Sequence, residues 1–263
     1  MSIIGIVVAT AIVGGVGVFI GLFLGAAGEK FKVEIDEREA AVRELLPGNN
    51  CGGCGYAGCD AMAAAIAAGE APVNGCPVGG AAVGAQIAAV MGVEAGETKR
   101  MTAFVKCAGS CEAAPKAYAY TGAEDCRFVS MMQNGGDKAC TYGCLGYGTC
   151  VKVCEFDAVH IVNGVAVVDP EACKACGRCV EACPKKLIEI IPAEGVSAVA
   201  CSSRDKGKDV MKVCKAGCIG CMKCAKVCES GAVTVEGNLA RIDYEKCTGC
   251  GKCKEECPRK IIG

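Results

Sequence analysis

The sequence predicts an α+β protein with one apolar amino-terminal helix, a small helical module with four cysteines, and two tandem cysteine-rich modules that contain β-hairpins. Three observations lead to this fold class: an uncharged amino terminus, an alanine- and glycine-rich segment behind it, and a cysteine pattern that recurs 74 residues later. The 263 residues include 25 cysteines, one histidine and no tryptophan. Such a bias indicates that the thiols carry the function or its scaffold.

The amino terminus has no charged residue from Ser2 to Gly28. As a helix this segment could cross a hydrocarbon core of roughly 30 Å, so residues 1–28 are expected to be a transmembrane anchor. A cleaved signal peptide and a buried soluble helix are the alternatives, but "MSIIG" lacks a basic leader. Lys30 and Lys32 follow the span, which favours a single-pass protein of the inner (plasma) membrane with its remainder in the reducing cytoplasm.

Behind the span, residues 29–50 mix charges of both signs and end near Pro47-Gly48, as a stalk or linker would. Residues 51–100 form the expected four-cysteine iron-sulfur domain, with two helices of small residues. Its cysteines are spaced C-x2-C-x4-C-x16-C, and the glycines between them would let a loop wrap round an inorganic core. The predicted ligands are Cys51, Cys54, Cys59 and Cys76.

The rest of the chain contains a duplication, which we divide into modules at 101–200 and 201–263. Eight cysteines of the first module each precede a cysteine of the second by 74 residues. Each module also contains a β-branched stretch with a turn of Gly and Asn in the middle, "AVHIVNGVAVVD" or "AVTVEGNLARID", which predicts a hairpin. The paired cysteines are Cys140, Cys144, Cys150, Cys154, Cys173, Cys176, Cys179 and Cys183 with Cys214, Cys218, Cys224, Cys228, Cys247, Cys250, Cys253 and Cys257.

Hairpins and cysteine-rich loops of this kind resemble the bacterial two-cluster ferredoxin fold. There the run C-x2-C-x2-C-x3-C-P gives three thiolates to one cluster and the fourth to its neighbour. "CKACGRCVEACP" and "CTGCGKCKEECP" match fully, and "CIGCMKCAKVCE" has Glu229 in place of the proline, which supplies no ligand. Three 4Fe-4S sets follow: Cys247, Cys250, Cys253 with Cys228; Cys218, Cys221, Cys224 with Cys257; and Cys173, Cys176, Cys179 with Cys154.

The first module departs from this pattern because Tyr147 stands where the repeat has Cys221. We expect Cys140 to be the substitute ligand, which gives a set of Cys140, Cys144, Cys150 and Cys183 and a total of five 4Fe-4S clusters. A sixth cluster is expected from Cys107, Cys126, Cys201 and Cys214, with Cys111 free. Alternatives are that Cys111 replaces one of these four, or that they are a zinc site or buried thiols.

Other functional classes fit the chain less well. An odd number of cysteines in C-x2-C-x2-C runs disfavours a disulfide framework, and a lone His160 disfavours zinc sites. "VGGAAVGA" is more typical of a helix start than of a dinucleotide loop, so flavin and nicotinamide would bind to another protein. No catalytic residues or organic-cofactor ligands are predicted, and a formal charge of -1 disfavours nucleic-acid binding.

One cationic stretch has two interpretations. It could dock an acidic ferredoxin through complementary charge, or it could offset the negative charge of clusters beneath it. The basic stretch comprises Arg204, Lys206, Lys208, Lys212, Lys215, Lys223 and Lys226.

The arrangement as a whole resembles one protein family. "LPGNNCGGCGYAGCDAMAAAI", behind a single span and ahead of ferredoxin-like modules, is similar to RnfB, the iron-sulfur component of Rnf complexes, in its long multi-cluster bacterial form. The resemblance implies an ion-pumping (Na+ or H+) ferredoxin:NAD+ oxidoreductase in which this subunit accepts electrons from soluble ferredoxin. It would relay them to other Rnf-type membrane subunits and a flavin- and NAD-binding subunit. Alternatives are an anchored polyferredoxin of another membrane oxidoreductase and an iron-sulfur redox sensor.

Overall fold

The computed structural model describes residues 3–30, 36–97 and 99–263. The helices that precede the cysteine-rich modules are longer than those within them, and the strands of the modules pair in twos. The helices are α1 Ile3–Lys30, α2 Glu37–Leu45, α3 Cys59–Ala67, α4 Gly80–Met91, α5 Cys126–Val129, α6 Thr149–Lys152, α7 Arg178–Ala182, α8 Gly207–Val213, α9 Lys223–Lys226 and α10 Lys252–Glu255. The strands are β1 Met101–Val105, β2 Val159–Val162, β3 Val165–Val168, β4 Ile188–Pro192, β5 Val233–Glu236 and β6 Leu239–Ile242.

Helix α1 is apolar along most of its length, and its described large apolar side chains are exposed. Within it, the stretch Ala11–Gly28 is long and apolar enough to cross a membrane, and none of that stretch is buried. Large side chains such as Phe19 and Leu22 are about 70% exposed. A continuous apolar surface of this size normally has a lipid or protein partner. The expected stalk continues through residues 31–35, including Lys32, which lie outside the described residues.

Helices α2, α3 and α4 form a small helical unit. Helix α2 begins where the Asp36 carboxylate accepts a hydrogen bond from the Arg38 N–H at 2.9 Å, which satisfies one free donor of the first turn. The alanines and glycines of α3 and α4 let the helices approach closely, and Val42, Met62 and Ile87 fill the core between them with at most 1% exposure. The two predicted small-residue helices are therefore confirmed.

The first cysteine-rich module closes through strands that are far apart in sequence. β1 pairs antiparallel with β4, with Ala103 opposite Ile190. β2 and β3 form the predicted hairpin, whose turn residues Asn163 and Gly164 have φ of 49° and 73°. Positive φ at both positions is the type I′ geometry that matches the twist of a hairpin.

The second module repeats this plan in a reduced form. β5 and β6 form the second predicted hairpin, again with positive φ at both turn residues, Gly237 and Asn238. In place of the β1–β4 pair there is one bridge, between Val199 and Ile262. Because Val199 also lies in the apolar core of this module, the second module includes a few residues before Cys201.

The two modules are joined through the segment that follows β1. The Ala108 N–H donates to the Ala200 carbonyl at 2.9 Å, and the Lys215 N–H donates to the Ala113 carbonyl at 2.7 Å. This segment of the first module therefore lies along the second, and cysteines from both modules can meet there.

Candidate iron-sulfur sites

The first candidate site belongs to the helical unit. Asn50 accepts a hydrogen bond from the Cys59 N–H at 2.8 Å, which ties the glycine-rich loop to the start of α3. Burial raises the pKa of the Cys76 thiol, and the nearby thiols of the same set raise it further. The predicted four cysteines line one pocket. We call this set site 1: Cys51, Cys54, Cys59 and Cys76.

A recurring local geometry places the third cysteine of each ferredoxin-like run. A residue in the left-handed region precedes each of the short helices α6, α7, α9 and α10, with φ of 72°, 81°, 61° and 73°. Glycine adopts this conformation without steric cost and occupies three of these positions, while Met222 occupies the fourth. The turn directs the next buried thiol inward from the helix start. These thiols are Cys150, Cys179, Cys224 and Cys253.

In the second module the structure brings together one complete predicted set around one pocket. Its fourth cysteine, Cys257, comes from the other cysteine run, so the crossed arrangement of the two-cluster motif is present here. Burial, followed by the neighbouring thiols, raises the pKa of Cys224 to about 11. We call this set site 5: Cys218, Cys221, Cys224 and Cys257.

One further set follows the predicted grouping, and a second is its counterpart by the repeat. Burial raises the pKa of Cys179 to about 11, and its three predicted partners add to the shift, so the four thiols are electrostatic neighbours. The 74-residue repeat pairs these four cysteines with four in the second module. Two of those four, Cys228 and Cys253, lie in one apolar cluster. We call these site 2, Cys154, Cys173, Cys176 and Cys179, and site 6, Cys228, Cys247, Cys250 and Cys253.

The remaining eight cysteines are grouped differently from the prediction. The sequence predicts Cys140 in the set with Cys150 and Cys126 in the sixth set, whereas the structure places each of these two residues in the other's set. Burial raises the pKa of Cys150 to about 12, with Cys144, Cys126 and Cys183 as the contributing thiols. Two pockets are lined by the eight thiols, four in each. Site 3 is Cys126, Cys144, Cys150 and Cys183, and site 4 is Cys107, Cys140, Cys201 and Cys214.

The exchange has a physical cause in short helix α5. Thr149 accepts a hydrogen bond from the Cys126 N–H at 2.8 Å and donates one to the Asp125 carboxylate at 3.0 Å. These two bonds hold the start of α5 against α6 and bring Cys126 beside Cys150. Tyr147, at the position of the missing cysteine, instead donates to Asp137 at 2.7 Å.

The repeat itself contains a signal for this grouping. Cys140 and Cys214 are equivalent by the 74-residue offset, and the structure places both in site 4. The predicted sets separate these two equivalent residues. Cys111, the residue predicted to be free, is exposed and lines none of the pockets of these sites.

Site 4 lies between the two modules, with two cysteines from each side. The Cys144 N–H of site 3 donates to Cys107 Sγ at 3.3 Å, and the Cys218 N–H of site 5 donates to Cys201 Sγ at 3.2 Å. The Arg259 guanidinium also donates to the Cys214 carbonyl at 2.8 Å. Site 4 is therefore in hydrogen-bond contact with a site of each module.

Site 1 meets the first module at a close backbone approach. A Cβ added at Gly53 would lie 2.8 Å from the Cys176 carbonyl oxygen, so only glycine fits there without a shift. The thiol of Cys51 contributes to the raised pKa of Cys176, for which burial is the larger cause. Thiols of sites 2 and 3 share one apolar cluster, as do those of sites 5 and 6. The cysteine sets thus follow one another from site 1, through sites 2 to 5, to site 6.

The donor sets consist of thiols, which are the usual ligands of 4Fe-4S clusters. Among the described residues all 25 cysteines are free thiols. Tetrahedral zinc with bonds of about 2.3 Å needs sulfurs about 3.8 Å apart. Within the described ranges no three His, Cys, Asp or Glu side chains converge in that way. Four thiols around one pocket are the ligand set that a 4Fe-4S cluster requires.

Comparisons with known proteins agree with these sites. The FeS family model, described as "Putative Fe-S cluster", matches residues 46–78 and so contains site 1. The Fer4_7 model, described as "4Fe-4S dicluster domain", matches residues 172–232 and 217–261.

Three relatives are similar along nearly the whole chain, and each is named as the B component of an oxidoreductase complex. That of the Na(+)-translocating ferredoxin:NAD(+) oxidoreductase complex of Acetobacterium woodii is 48% identical over 98% of this chain and 77% of its own length. That of the ion-translocating oxidoreductase complex of Methanosarcina acetivorans is 45% identical over 96% of both proteins. That of the proton-translocating ferredoxin:NAD(+) oxidoreductase complex of Clostridium ljungdahlii is 41% identical over 94% of this chain and 88% of its own length. The chain therefore belongs to the RnfB family of ion-translocating ferredoxin:NAD(+) oxidoreductase complexes.

Proposed function

We propose that the protein is the membrane-anchored electron-relay subunit of an ion-pumping ferredoxin:NAD+ oxidoreductase. The observation that carries the proposal is the succession of six four-cysteine sets, together with relatives named as subunits of such complexes. Electron transfer requires closely spaced redox centres and no acid-base group, which suits a chain whose chemistry is concentrated in thiols. The ion is sodium in one relative's name and the proton in another's, so either is compatible with this proposal.

In this proposal the cysteines of sites 1 to 6 each hold one 4Fe-4S cluster, which when bound accepts and gives up a single electron. The protein's own contribution is to keep the sites dry and to donate hydrogen bonds to the sulfurs. For example, the Ala103 N–H donates to Cys173 Sγ at 3.3 Å, and the Gly109 N–H donates to Cys107 Sγ at 3.4 Å. Such donors stabilise negative charge on sulfur and adjust the reduction potential.

Helix α1 is the proposed single-pass anchor in the cell membrane, with the cysteine sites on the cytoplasmic side. Its apolar exposed surface supports membrane insertion, and free thiols suit a reducing compartment. Site 1 follows the anchor most closely in sequence, so it is the proposed point of transfer to the other membrane subunits and, through them, to a flavin- and NAD-binding subunit.

Soluble ferredoxin is the proposed electron donor, and it would dock on the second module. All seven cations of the basic stretch are exposed, so they are available to an acidic partner. Lys212 is paired with Asp209 at 2.7 Å, whereas Lys206 and Lys208 form no ion pair within the part of the chain described. The exposed thiols Cys221 and Cys250 lie in the same module.

The decisive experiment is a count of iron, acid-labile sulfide and zinc on anaerobically purified protein, with a spectrum recorded as reduced ferredoxin is added. Six clusters require about 24 irons per chain. Bleaching of that iron by ferredoxin would support the relay. Zinc in place of iron would refute it, and loaded iron that ferredoxin does not reduce would favour a redox sensor or the polyferredoxin of another oxidoreductase.

A further inference from the structure

Lys138 is a buried lysine whose charge has no carboxylate partner. Its side chain and backbone together are 4% exposed. The ammonium donates to three backbone carbonyls, those of Gly109 at 2.6 Å, Cys144 at 2.9 Å and Gly164 at 3.0 Å. Among the ion pairs of the described residues none includes Lys138, and its neighbour Asp137 pairs with Lys116 at 2.9 Å instead.

A buried ammonium group is expensive unless its charge is compensated. Three carbonyl dipoles satisfy its hydrogen bonds but supply no full negative charge. Anionic groups close to Lys138 in the assembled protein would compensate its charge. Thiolates holding an iron-sulfur core would supply that charge.

The position of Lys138 coincides with the junction of sites 3 and 4. Its acceptor Cys144 belongs to site 3, and the N–H of that same residue donates to Cys107 Sγ of site 4 at 3.3 Å. Its acceptor Gly109 donates its own N–H to Cys107 Sγ at 3.4 Å. The ammonium therefore bonds to the backbone of Cys144, a residue of site 3, and to that of Gly109, whose N–H donates to a thiol of site 4.

The duplication provides an internal comparison. Lys212 occupies the equivalent position, 74 residues later, but it is exposed and pairs with Asp209 at 2.7 Å. The same residue type is therefore at the surface in the second module and buried in the first. A lysine that acts only as a surface cation does not need to be buried, as Lys138 is.

We propose that Lys138 sets the reduction potential of sites 3 and 4. A fixed positive charge in a low-dielectric setting stabilises the more negative, reduced state, so it raises the potential of nearby centres relative to site 5. Lys138 acts on the neighbouring sites through its charge and binds no metal itself. This inference rests on the proposed electron-relay function.

The test is a redox titration, followed by electron paramagnetic resonance, of the anaerobically purified full chain carrying Lys138→Gln. Glutamine keeps hydrogen-bond donors and removes the charge. The site 3 signal, identified as the one lost in Cys126→Ala, is expected to move to a more negative midpoint potential with unchanged iron content. Lys138→Arg, which keeps the charge, should stay near the parent value, and the control Lys99→Gln, at an exposed lysine outside the basic stretch, should leave every midpoint unchanged.

An unchanged midpoint in Lys138→Gln with full iron would overturn the inference. So would loss of iron from both Lys138→Gln and Lys138→Met, since Lys138 would then be a structural cross-link between three carbonyls. Failure of the proposed function is distinguishable, because it would appear in the parent protein as missing iron or as iron that ferredoxin does not reduce.

Discussion

The backbone N–H of Cys218 donates a hydrogen bond to Cys201 Sγ at 3.2 Å, so a residue of site 5 directly contacts a thiol of site 4. The Cys144 N–H makes the corresponding bond to Cys107 Sγ from the side of site 3. Site 4 thus accepts a hydrogen bond from a cysteine of a neighbouring site in each module. The modules are therefore linked by a shared thiol site as well as by ordinary packing.

The exchange of Cys126 and Cys140 can be tested by substituting each residue. Cys126→Ala should lose about four irons and the resonance of site 3, whereas Cys140→Ala should lose a different resonance, that of site 4. Iron analysis and electron paramagnetic resonance are the measurements. Cys111→Ala is the control and should keep all the iron, because Cys111 is exposed and lines none of the pockets described for these sites. Loss of the same resonance in both alanine variants would show that the grouping is wrong.

The contact between site 1 and site 2 should be sensitive to side-chain volume at Gly53. A valine there would collide with the Cys176 carbonyl and separate the helical unit from the first module. We expect Gly53→Val to keep its iron but to slow reduction of site 1 by ferredoxin several-fold, measured by stopped-flow spectroscopy. Ala81→Val, on the exposed surface of α4, is the matched control. An unaltered rate in Gly53→Val would mean that electrons do not pass through this contact.

The crossed arrangement seen in site 5 should also hold for site 6. Cys228→Ala should remove the resonance of the site built on Cys247, Cys250 and Cys253, and leave site 5 intact. The physical reason is that the short helix after Cys224 carries Cys228 away from site 5. Loss of the site 5 resonance alone would contradict the assignment.

Docking of ferredoxin through the basic stretch predicts a dependence on salt. Lys206→Glu with Lys208→Glu should slow reduction by ferredoxin at low ionic strength and have little effect at high ionic strength, because exposed charges are screened over about 10 Å at 0.1 M salt. The double reversal of the exposed Lys99 and Lys174 serves as the charge-matched control. Equal rates for parent and variant at low salt would leave charge compensation as the role of these lysines.

Loading of the sites with iron should depend on pH. Burial raises the pKa of Cys150 from 9.0 to about 12, and those of Cys179 and Cys224 to about 11, so these thiols are protonated in the iron-free chain at neutral pH. Iron binds the thiolate, and below a thiol's pKa the thiolate fraction rises about tenfold per pH unit. Reconstitution of chelator-stripped protein should therefore be faster at pH 9 than at pH 7. A rate that is flat across this range would show that deprotonation does not limit loading.

The order of helices and hairpins along the chain can be predicted from sequence, because each of them depends on a residue pattern within one short segment. The uncharged run from Ser2 to Gly28 predicts a long apolar helix, and "VNGV" and "EGNL" predict tight hairpins through their turn residues. Cysteine spacing within one run also determined which thiols share sites 1, 2 and 5, because three ligands of each such site lie within a few residues. These predictions required no knowledge of how the modules pack.

Apart from the equivalence of Cys140 and Cys214 in the repeat, the grouping of the isolated cysteines was decided by tertiary structure. Cys107, Cys126, Cys140 and Cys201 have no ligand partner close by in a complete C-x2-C-x2-C run, so their groups depend on contacts between distant segments. The hydrogen bonds from Thr149 that hold α5 place Cys126 in site 3, and the contact between Ala108 and Ala200 brings Cys107 to Cys201. The same holds for Lys138 and Lys212, which match in sequence but differ in burial, because burial depends on what packs over a residue.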